Sequence, residues 1–360
     1  MSYEFLGVKS KIPMLLNVQP AFSKYVAADL IRRGIPSDDV RTTPFGVRVM
    51  TDDLDTVTRC RLFDRLYLTI PIKRGEKLTE ENAKDTVESS MLRRILDTCV
   101  SGERPIPCRI RVEVPGMGNK NKTAEKARDV ARRLTGAFSD AVSAAVGDAV
   151  EPTTGNYECE LYFPRRPDKT FGFYLWIACL GDKRFDYRRE LAATSMSAVR
   201  AATMMEMLHD YLIEGDSVLD PFCGTGTLII ERKKKGVTGN AFGIDISAQM
   251  ISGARENAAL ASEHIHFIQR DFFEFTYDNV IDEIITEMPD LYRRNDREKR
   301  GFFSSFVKKC MELTAEGSLM CVLTGDGDIF AAVIKKEGHL ELAERISFGG
   351  KREVFIIRRI

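Results

Sequence analysis

The sequence predicts an α/β protein: a C-terminal doubly wound parallel sheet preceded by smaller α+β layers. Three observations predict it. From Gly215 to the end, strand patterns alternate with helix patterns, which argues for a parallel sheet with helices on both faces. The stretch VLDPFCGTGTLIIE, Val218 to Glu231, reads as a buried strand, a tight glycine turn and an opening helix. Open α/β sheets bind ligands at such a place, outside the carboxyl end of a strand. The last two strands are joined by a short GGKR turn and so pair as a hairpin. The final strand must then run antiparallel to its neighbour, an ending unlike a plain dinucleotide fold.

A chain of 360 residues suggests two or three domains. The pattern divides it at 1–75, 76–182, 183–214 and 215–360. The first block reads β-α-β-α-β: MLLNV, AFSKYVAADLIRRG, GVRVMT, DLDTVTRCRLFD and RLYLTIPI. Its first helix places Phe22, Val26, Leu30 and Ile31 on one face, and Gly34 stops it. In the second block CRIRVEV alternates as a half-buried strand. PGMGNKNK is a glycine- and lysine-rich loop, and Thr123 is the expected N-cap of the helix that follows. The strands YECELYF and FGFYLWIACL come next, separated by the basic turn PRRPDK. Lys120 and Lys122 in the loop, Arg132 on the helix, and Arg165 and Arg166 in the turn form a patch suited to phosphates if they converge. Otherwise they are a solvated helix face and two charged turns. A connector, helical from about Ser195 to Leu212, leads into the last block.

That block runs SVLD, TLIIERKKK, NAFGID, AQMISGARENAAL, HIHFIQ, IDEIIT, EKRGFFSSFVKKCMEL, SLMCVLT, IFAAVIKKE, LELAERIS and EVFIIRRI. Lys+Arg 53 balances Asp+Glu 53, so no global field favours polyanions, and nucleic-acid affinity must come from a local patch. No apolar run approaches the ~18 residues of a membrane helix. The N-terminus lacks the blocks of a signal peptide. The eight cysteines form no CxxC pair and sit mostly in apolar segments, as reduced core residues do. The expected compartment is the cytoplasm, with no membrane and no obligate protein partner. His264 and His266 in HIHFIQ lack the Cys or carboxylate spacing of a metal site, so no metal is expected.

What the glycine turn holds follows from its neighbours. A P-loop needs GxxxxGK[ST], and no lysine follows Gly224 at that spacing. A dinucleotide fingerprint needs a third glycine, where Ile229 stands. S-adenosylmethionine, which carries no phosphate, fits better. Glycines let the backbone approach it. Asp220, ending the first strand, would lie near its ammonium. Asp245, ending the second, would accept the ribose hydroxyls. Asp271, after the third, would accept from the adenine amine. Pro221, Phe222, Gly224, Gly226, Ile246 and Phe272 complete the candidate pocket. Cys223 has no visible base beside it and is read as packing.

DPFCGTGTLIIE, GIDIS, RDFFEF and the closing hairpin resemble the Rossmann-like class I methyltransferase fold. More narrowly, they resemble the RNA methylases that carry an N-terminal ferredoxin-like domain and a THUMP domain. PAFSKYVAADLIRRGI with TPFGVRV resembles the family's first domain, the stretch from CRIRVEV to WIACLG resembles THUMP, and KRFDYRR with a small-residue helix resembles the linker. The resemblance implies a ferredoxin-like layer at 1–75, a THUMP-like RNA-binding domain at 76–182 and a methyltransferase sheet at 215–360. It implies methyl transfer from S-adenosylmethionine to RNA. Family members modify the exocyclic amine of guanine, N2, in tRNA or rRNA.

The acceptor motif departs from the pattern. Amine methyltransferases place Asn/Asp-Pro-Pro-aromatic after the fourth strand, where oxygens accept the target amine hydrogens and the ring stacks on an extruded base. Here IITEMPDLYRR puts Glu287 at the first position and keeps Pro289, with Tyr292 as the nearest ring. In one reading Glu287 accepts the amine and Tyr292 stacks, with Arg293 and Arg294 clamping phosphates. In another the cofactor pocket persists in an RNA-binding protein without catalysis. A DNA or protein amine methylase is the third alternative.

Overall fold

The computed structural model describes residues 11–99, 104–117, 122–178, 183–191 and 195–360. The chain divides into two compact units, Met1–Asp182 and Lys183–Ile360.

The first unit is built on one eight-stranded sheet. Its strands are β1 (Ile12–Asn17), β2 (Val40–Thr43), β3 (Gly46–Thr51), β4 (Arg65–Thr69), β5 (Ile106–Glu113), β6 (Val150–Pro152), β7 (Cys159–Pro164) and β8 (Tyr174–Ile177), in the order β2-β3-β1-β4-β8-β7-β5-β6. Blocks 1–75 and 76–182 therefore share a sheet, joined where Leu68 and Thr69 of β4 pair with Leu175 and Tyr174 of β8. Helices α1 (Ser23–Arg32), α2 (Leu54–Arg59), α3 (Ala83–Glu88), α4 (Leu92–Cys99) and α5 (Lys122–Val146) accompany it. The β5 alternation buries Cys108, Ile110 and Val112 and turns Arg109, Arg111 and Glu113 to the other face.

The α1 stripe differs from expectation at one residue. Phe22, Val26 and Leu30 are buried, but Ile31 is exposed and Asp29 lies inside. Position 29 continues the i+3/i+7 row from 26 and 22, whereas 31 is rotated off it. Arg33 Nε donates to the Asp29 carboxylate at 2.7 Å and neutralises it. Thr123 is not the N-cap of α5: the helix begins at Lys122, so Thr123 lies in its first turn. Lys120 lies outside the described residues.

The second unit holds a seven-stranded sheet of β9 (Val218–Asp220), β10 (Ala241–Asp245), β11 (His266–Gln269), β12 (Glu283–Glu287), β13 (Leu319–Thr324), β14 (Leu340–Ser347) and β15 (Glu353–Arg359). Its order is β11-β10-β9-β12-β13-β15-β14. The strands are parallel through β13, β15 runs antiparallel to it, and β14 closes the hairpin. The helices are α6 (Ala198–Met207), α7 (Thr227–Lys235), α8 (Ala248–Leu260), α9 (Asp296–Leu313) and α10 (Gly327–Ile334). The linker helix α6 begins where the Ser197 hydroxyl accepts from the Arg200 N–H, and it is shorter than expected. Chain order reverses at β9, between β10 and β12, so the glycine turn after β9 sits at the switch point. An aromatic core of Phe272, Phe303, Phe306, Phe330 and Phe355 fills one side of the sheet. No helix among the described residues is long and apolar enough to cross a membrane.

Candidate active site

Asp220 and Asp245 end neighbouring parallel strands, and Asp271 follows the third, so three carboxyls line one edge of the sheet. Asp245 is tied to the turn itself: its Oδ2 accepts the Gly224 N–H at 3.1 Å and its Oδ1 the Ser247 N–H at 2.8 Å. A carboxylate has about four lone-pair sites, so two remain for a diol. Asp271 caps the turn at Phe272–Glu274, accepting the Phe273 N–H at 3.0 Å, and is half-buried.

The two glycines serve different ends. Gly226 is the left-handed N-cap of α7 (φ +80), and a Cβ there would come within 3.0 Å of the Phe267 ring. Gly224 is also left-handed (φ +51), but a Cβ on it would meet nothing within 4 Å. Gly226 is required by packing. Gly224 faces a space that a side chain would fill and that a ligand can approach.

Asp220 is buried, and its Oδ1 accepts the Thr286 hydroxyl at 2.7 Å and the Phe222 N–H at 3.2 Å. Burial pushes its carboxyl up to about 7; the two hydrogen bonds hold it down, and nearby Asp245 adds to the rise. Cys223 is buried at the turn, and burial pushes its thiol well above the ordinary range, as for a packing residue. Pro221 is buried, and Phe222 packs on Phe272, Phe302 and Phe306 at 5.6 to 6.0 Å. Ile246 is 71% exposed, an apolar surface directly after the Asp245 carboxylate. Phe272 differs: its ring is only 2% exposed, turned into the aromatic core and away from the sheet edge. The run DFFEF gives no sign of which phenylalanine turns inward.

Residues from the linker brace the turn, a role the sequence did not signal. Tyr187 donates to Glu231 at 2.7 Å, and Arg188 Nε to Thr227 Oγ1 at 3.3 Å. The buried Asn257 side chain accepts the Arg189 and Glu190 N–H groups at 3.1 and 3.0 Å. Its amide donates to the Glu190 and Thr225 carbonyls at 2.8 and 3.0 Å. One amide thus uses its whole hydrogen-bonding capacity to join the linker to the glycine turn.

At the end of β12, Glu287 stands beside Thr286, the partner of Asp220, and is ion-paired with Arg352. Arg352 lies in the turn before β15 and was not among the residues the motif suggested. Met288 is buried, while Pro289 and Asp290 are exposed. Tyr292 is 67% exposed; its N–H donates to Asp290 at 2.9 Å, and the Arg293 guanidinium lies 5.2 Å from its ring. The Arg294 guanidinium lies 5.2 Å from the Phe302 ring, which packs on Phe222. Arg297, Lys299 and Arg300 lie in the first turns of α9, which Asn295 and Glu298 open with a capping box. Lys299 donates to Asp326 at 2.6 Å.

In the first unit, a cleft of about 820 Å³ is lined by Pro115, Gly116 and Met117 of the glycine loop, Thr135 of α5 and Pro167 of the PRRPDK turn, with Arg109 and Arg111. The loop, helix and turn predicted to carry the basic patch each contribute to this opening, but Lys122, Arg132, Arg165 and Arg166 do not line it, and its basic lining is Arg109 and Arg111. Lys122 is exposed in the first turn of α5, and Arg132 is exposed and pairs with Asp129 at 3.1 Å. Arg166 is exposed at the turn and donates to Thr170 at 3.3 Å. Arg165 is half-buried, and its Nε has no hydrogen-bond partner among the described residues.

Residues 186–353 match the family model described as the RMKL-like methyltransferase domain. The chain is 31% identical over 111 residues to the tRNA (guanine(10)-N2)-dimethyltransferase of Methanothermobacter thermautotrophicus, a match covering 30% of this chain and 32% of that protein. It spans about a third of the length of the curated relatives it matches. Among solved structures, TrmN from Thermus thermophilus superposes with a TM-score of 0.69 at 17% identity, covering 97% of this chain and 100% of that one. A protein described as a predicted N6-adenine-specific DNA methylase from Listeria monocytogenes superposes at 0.66 with 15% identity, covering 99% and 98%. The fold is therefore α/β with a Rossmann-like sheet of the kind these methyltransferase structures share, and the cofactor expected from the sequence is S-adenosylmethionine. The donor set fits that cofactor: a strand-end carboxylate with lone pairs to spare, an open face at Gly224, and a buried carboxyl poised to ionise.

Proposed function

We propose that the protein is an S-adenosylmethionine-dependent RNA methyltransferase that acts on an exocyclic base amine, guanine N2 of a tRNA or rRNA. The observation that carries this reading is Asp245 bound to the Gly224 N–H beside open space at the switch point. When bound, S-adenosylmethionine supplies an electrophilic methyl group on sulfur. The chain's task is then positioning and exclusion of water. Asp245 holds the ribose, Asp271 takes the adenine amine, Asp220 faces the ammonium, and Gly224 leaves room for the backbone to approach. Glu287 accepts a hydrogen of the target amine, Pro289 stiffens the chain beyond it, and the exposed Tyr292 ring stacks on the extruded base. Residues 76–182 serve as the THUMP-like RNA-capture domain, through Lys122, Arg132, Arg165, Arg166 and the loop carrying Lys120, with Arg293 and Arg294 on phosphates near the base. This assignment draws support from the guanine-N2 relative and from the cleft to which the loop, the helix and the turn all contribute, with Arg109 and Arg111 in its lining. The cytoplasm, where such RNAs are met, is the proposed compartment.

The test is calorimetry with S-adenosylmethionine on the wild type and Asp245→Ala, followed by transfer of labelled methyl to total RNA. Micromolar binding lost in the variant, with label in RNA, supports the reading. One observation favours a second reading: the Glu287 carboxylate is already engaged by Arg352. If Glu287→Ala leaves RNA binding and cellular effect intact while the wild type transfers no methyl, the protein is a cofactor-retaining RNA binder.

A further inference from the structure

Arg352 is held as firmly as Glu287. It closes the turn between β14 and β15, where the Phe348 N–H donates to the Arg352 carbonyl at 2.8 Å. Phe348 is buried, its carbonyl accepts from Arg200 Nη2 at 2.9 Å, and its ring lies 4.6 Å from the Arg200 guanidinium. Helix α6 therefore pins the turn, and the turn delivers Arg352 to the end of β12. The nearby carboxylates of Glu353 and Asp328 are engaged by Arg345. What remains at this edge is a side-by-side carboxylate and guanidinium, Glu287 with 21% and Arg352 with 47% of its side chain exposed. A partly exposed pair of this kind contributes little to stability. Its unused lone pairs and N–H groups are available to a ligand, since a carboxylate offers about four acceptor sites and a guanidinium five donors.

Purines differ in what they present to such a pair. The Watson–Crick edge of guanine sets the O6 acceptor beside the N1–H and N2–H donors. Adenine sets its N6 amine beside the N1 acceptor, the opposite polarity. Accordingly, and resting on the methyltransferase reading above, we infer that Arg352 is a specificity-determining residue that pairs with Glu287 to read the guanine edge. Arg352 donates to O6, and Glu287 accepts from N1–H and N2–H. Adenine in the same place would set donor against donor and acceptor against acceptor. The pair also explains why an acid can stand where the motif has a neutral amide or a shorter acid: the charge has its counter-ion in the closing hairpin.

The experiment uses the full chain saturated with S-adenosylhomocysteine, with guanosine monophosphate and adenosine monophosphate as probes in saturation-transfer NMR competition. The wild type should prefer the guanine nucleotide by roughly tenfold, in line with a bidentate base contact. Arg352→Ala should bring the ratio close to one, and Arg352→Lys should restore part of it. Affinity for S-adenosylhomocysteine and the melting temperature should not move in either variant, which separates base reading from a structural role. Equal affinity for the two nucleotides in the wild type, or an unchanged preference in Arg352→Ala, overturns the inference. Failure of S-adenosylhomocysteine to bind the wild type would refute the methyltransferase reading instead. The nucleotide preference, measured without it, would still decide the role of Arg352.

Discussion

On the proposed function, Asp220 sets the pH behaviour of the pocket. With its carboxyl raised to about 7, it is protonated in slightly acidic solution, whereas a cofactor ammonium calls for the carboxylate. Binding must then expel a proton below pH 7. Apparent cofactor affinity should rise about tenfold per pH unit between pH 5 and 7 and level off above. Folding shows the opposite sign: the raised carboxyl favours the folded state in acid, and that contribution is lost as pH rises through 7. Calorimetry across this range in two buffers of different ionisation heat would reveal proton release, and Asp220→Asn should flatten the profile. A slope that persists in the variant assigns the proton to another group. Gly224→Ala should lower cofactor affinity and cost about 1 kcal/mol of stability in denaturant melts, because a left-handed position would gain a Cβ that enters the open face. These positions were legible in the sequence because they stand in fixed offsets from strand ends. Thr286, Asn257 and Arg352 were not, since each works through partners 32 to 68 residues away that no local pattern announces.

The elements of the C-terminal unit were readable because its apolar strands are bounded by turn residues and three of its helices, α6, α8 and α9, start at a side-chain cap, Ser197, Ser247 and Asn295. Helices α3 and α4 and strands β2 and β6 were not anticipated. VRTT and VEP are too short to carry an alternation, and α3 buries only Ala83, Thr86 and Val87 within a polar run. Three side chains tie the elements of the C-terminal unit together. Asn257→Ala would take from the Glu190 and Thr225 carbonyls and the Glu190 N–H their partner inside the protein, while the Arg189 N–H keeps the Tyr187 carbonyl. It should destabilise by about 3 kcal/mol and weaken cofactor binding as the turn loosens. Arg232 of α7 and Glu283 of β12 are fully buried and joined by two bonds of 2.6 and 2.8 Å. Arg232→Met would strand a buried carboxylate at a cost of about 3 to 5 kcal/mol, whereas Arg232→Met with Glu283→Leu should recover most of it. Urea melts of the single and double variants would test this; additive losses would mean the pair is not coupled.

Across the whole molecule, charge and sheet architecture bear on how the proposed RNA substrate would be held. The eight-stranded sheet was not legible as one body, because its two halves meet through only two residue pairs of β4 and β8, which no sequence spacing specifies. With 53 basic and 53 acidic residues, attraction to a polyanion cannot come from net charge and must be local. Local attraction has a testable consequence: a few substitutions should remove most of it. Reversing Lys122, Arg132 and Arg166 to glutamate in the full chain should weaken binding of a bulk tRNA pool at least tenfold at low salt. Log affinity against log salt should also become shallower, by somewhat under one for each phosphate no longer neutralised. S-adenosylmethionine affinity should hold steady, since those residues belong to the first unit and the cofactor carboxylates to the second. Filter binding over roughly 50 to 200 mM salt, paired with calorimetry, reads both quantities. If the triple variant keeps the wild-type slope, the basic elements around the cleft are a solvated face, and phosphate contacts must be sought at Arg293 and Arg294 beside the acceptor acid.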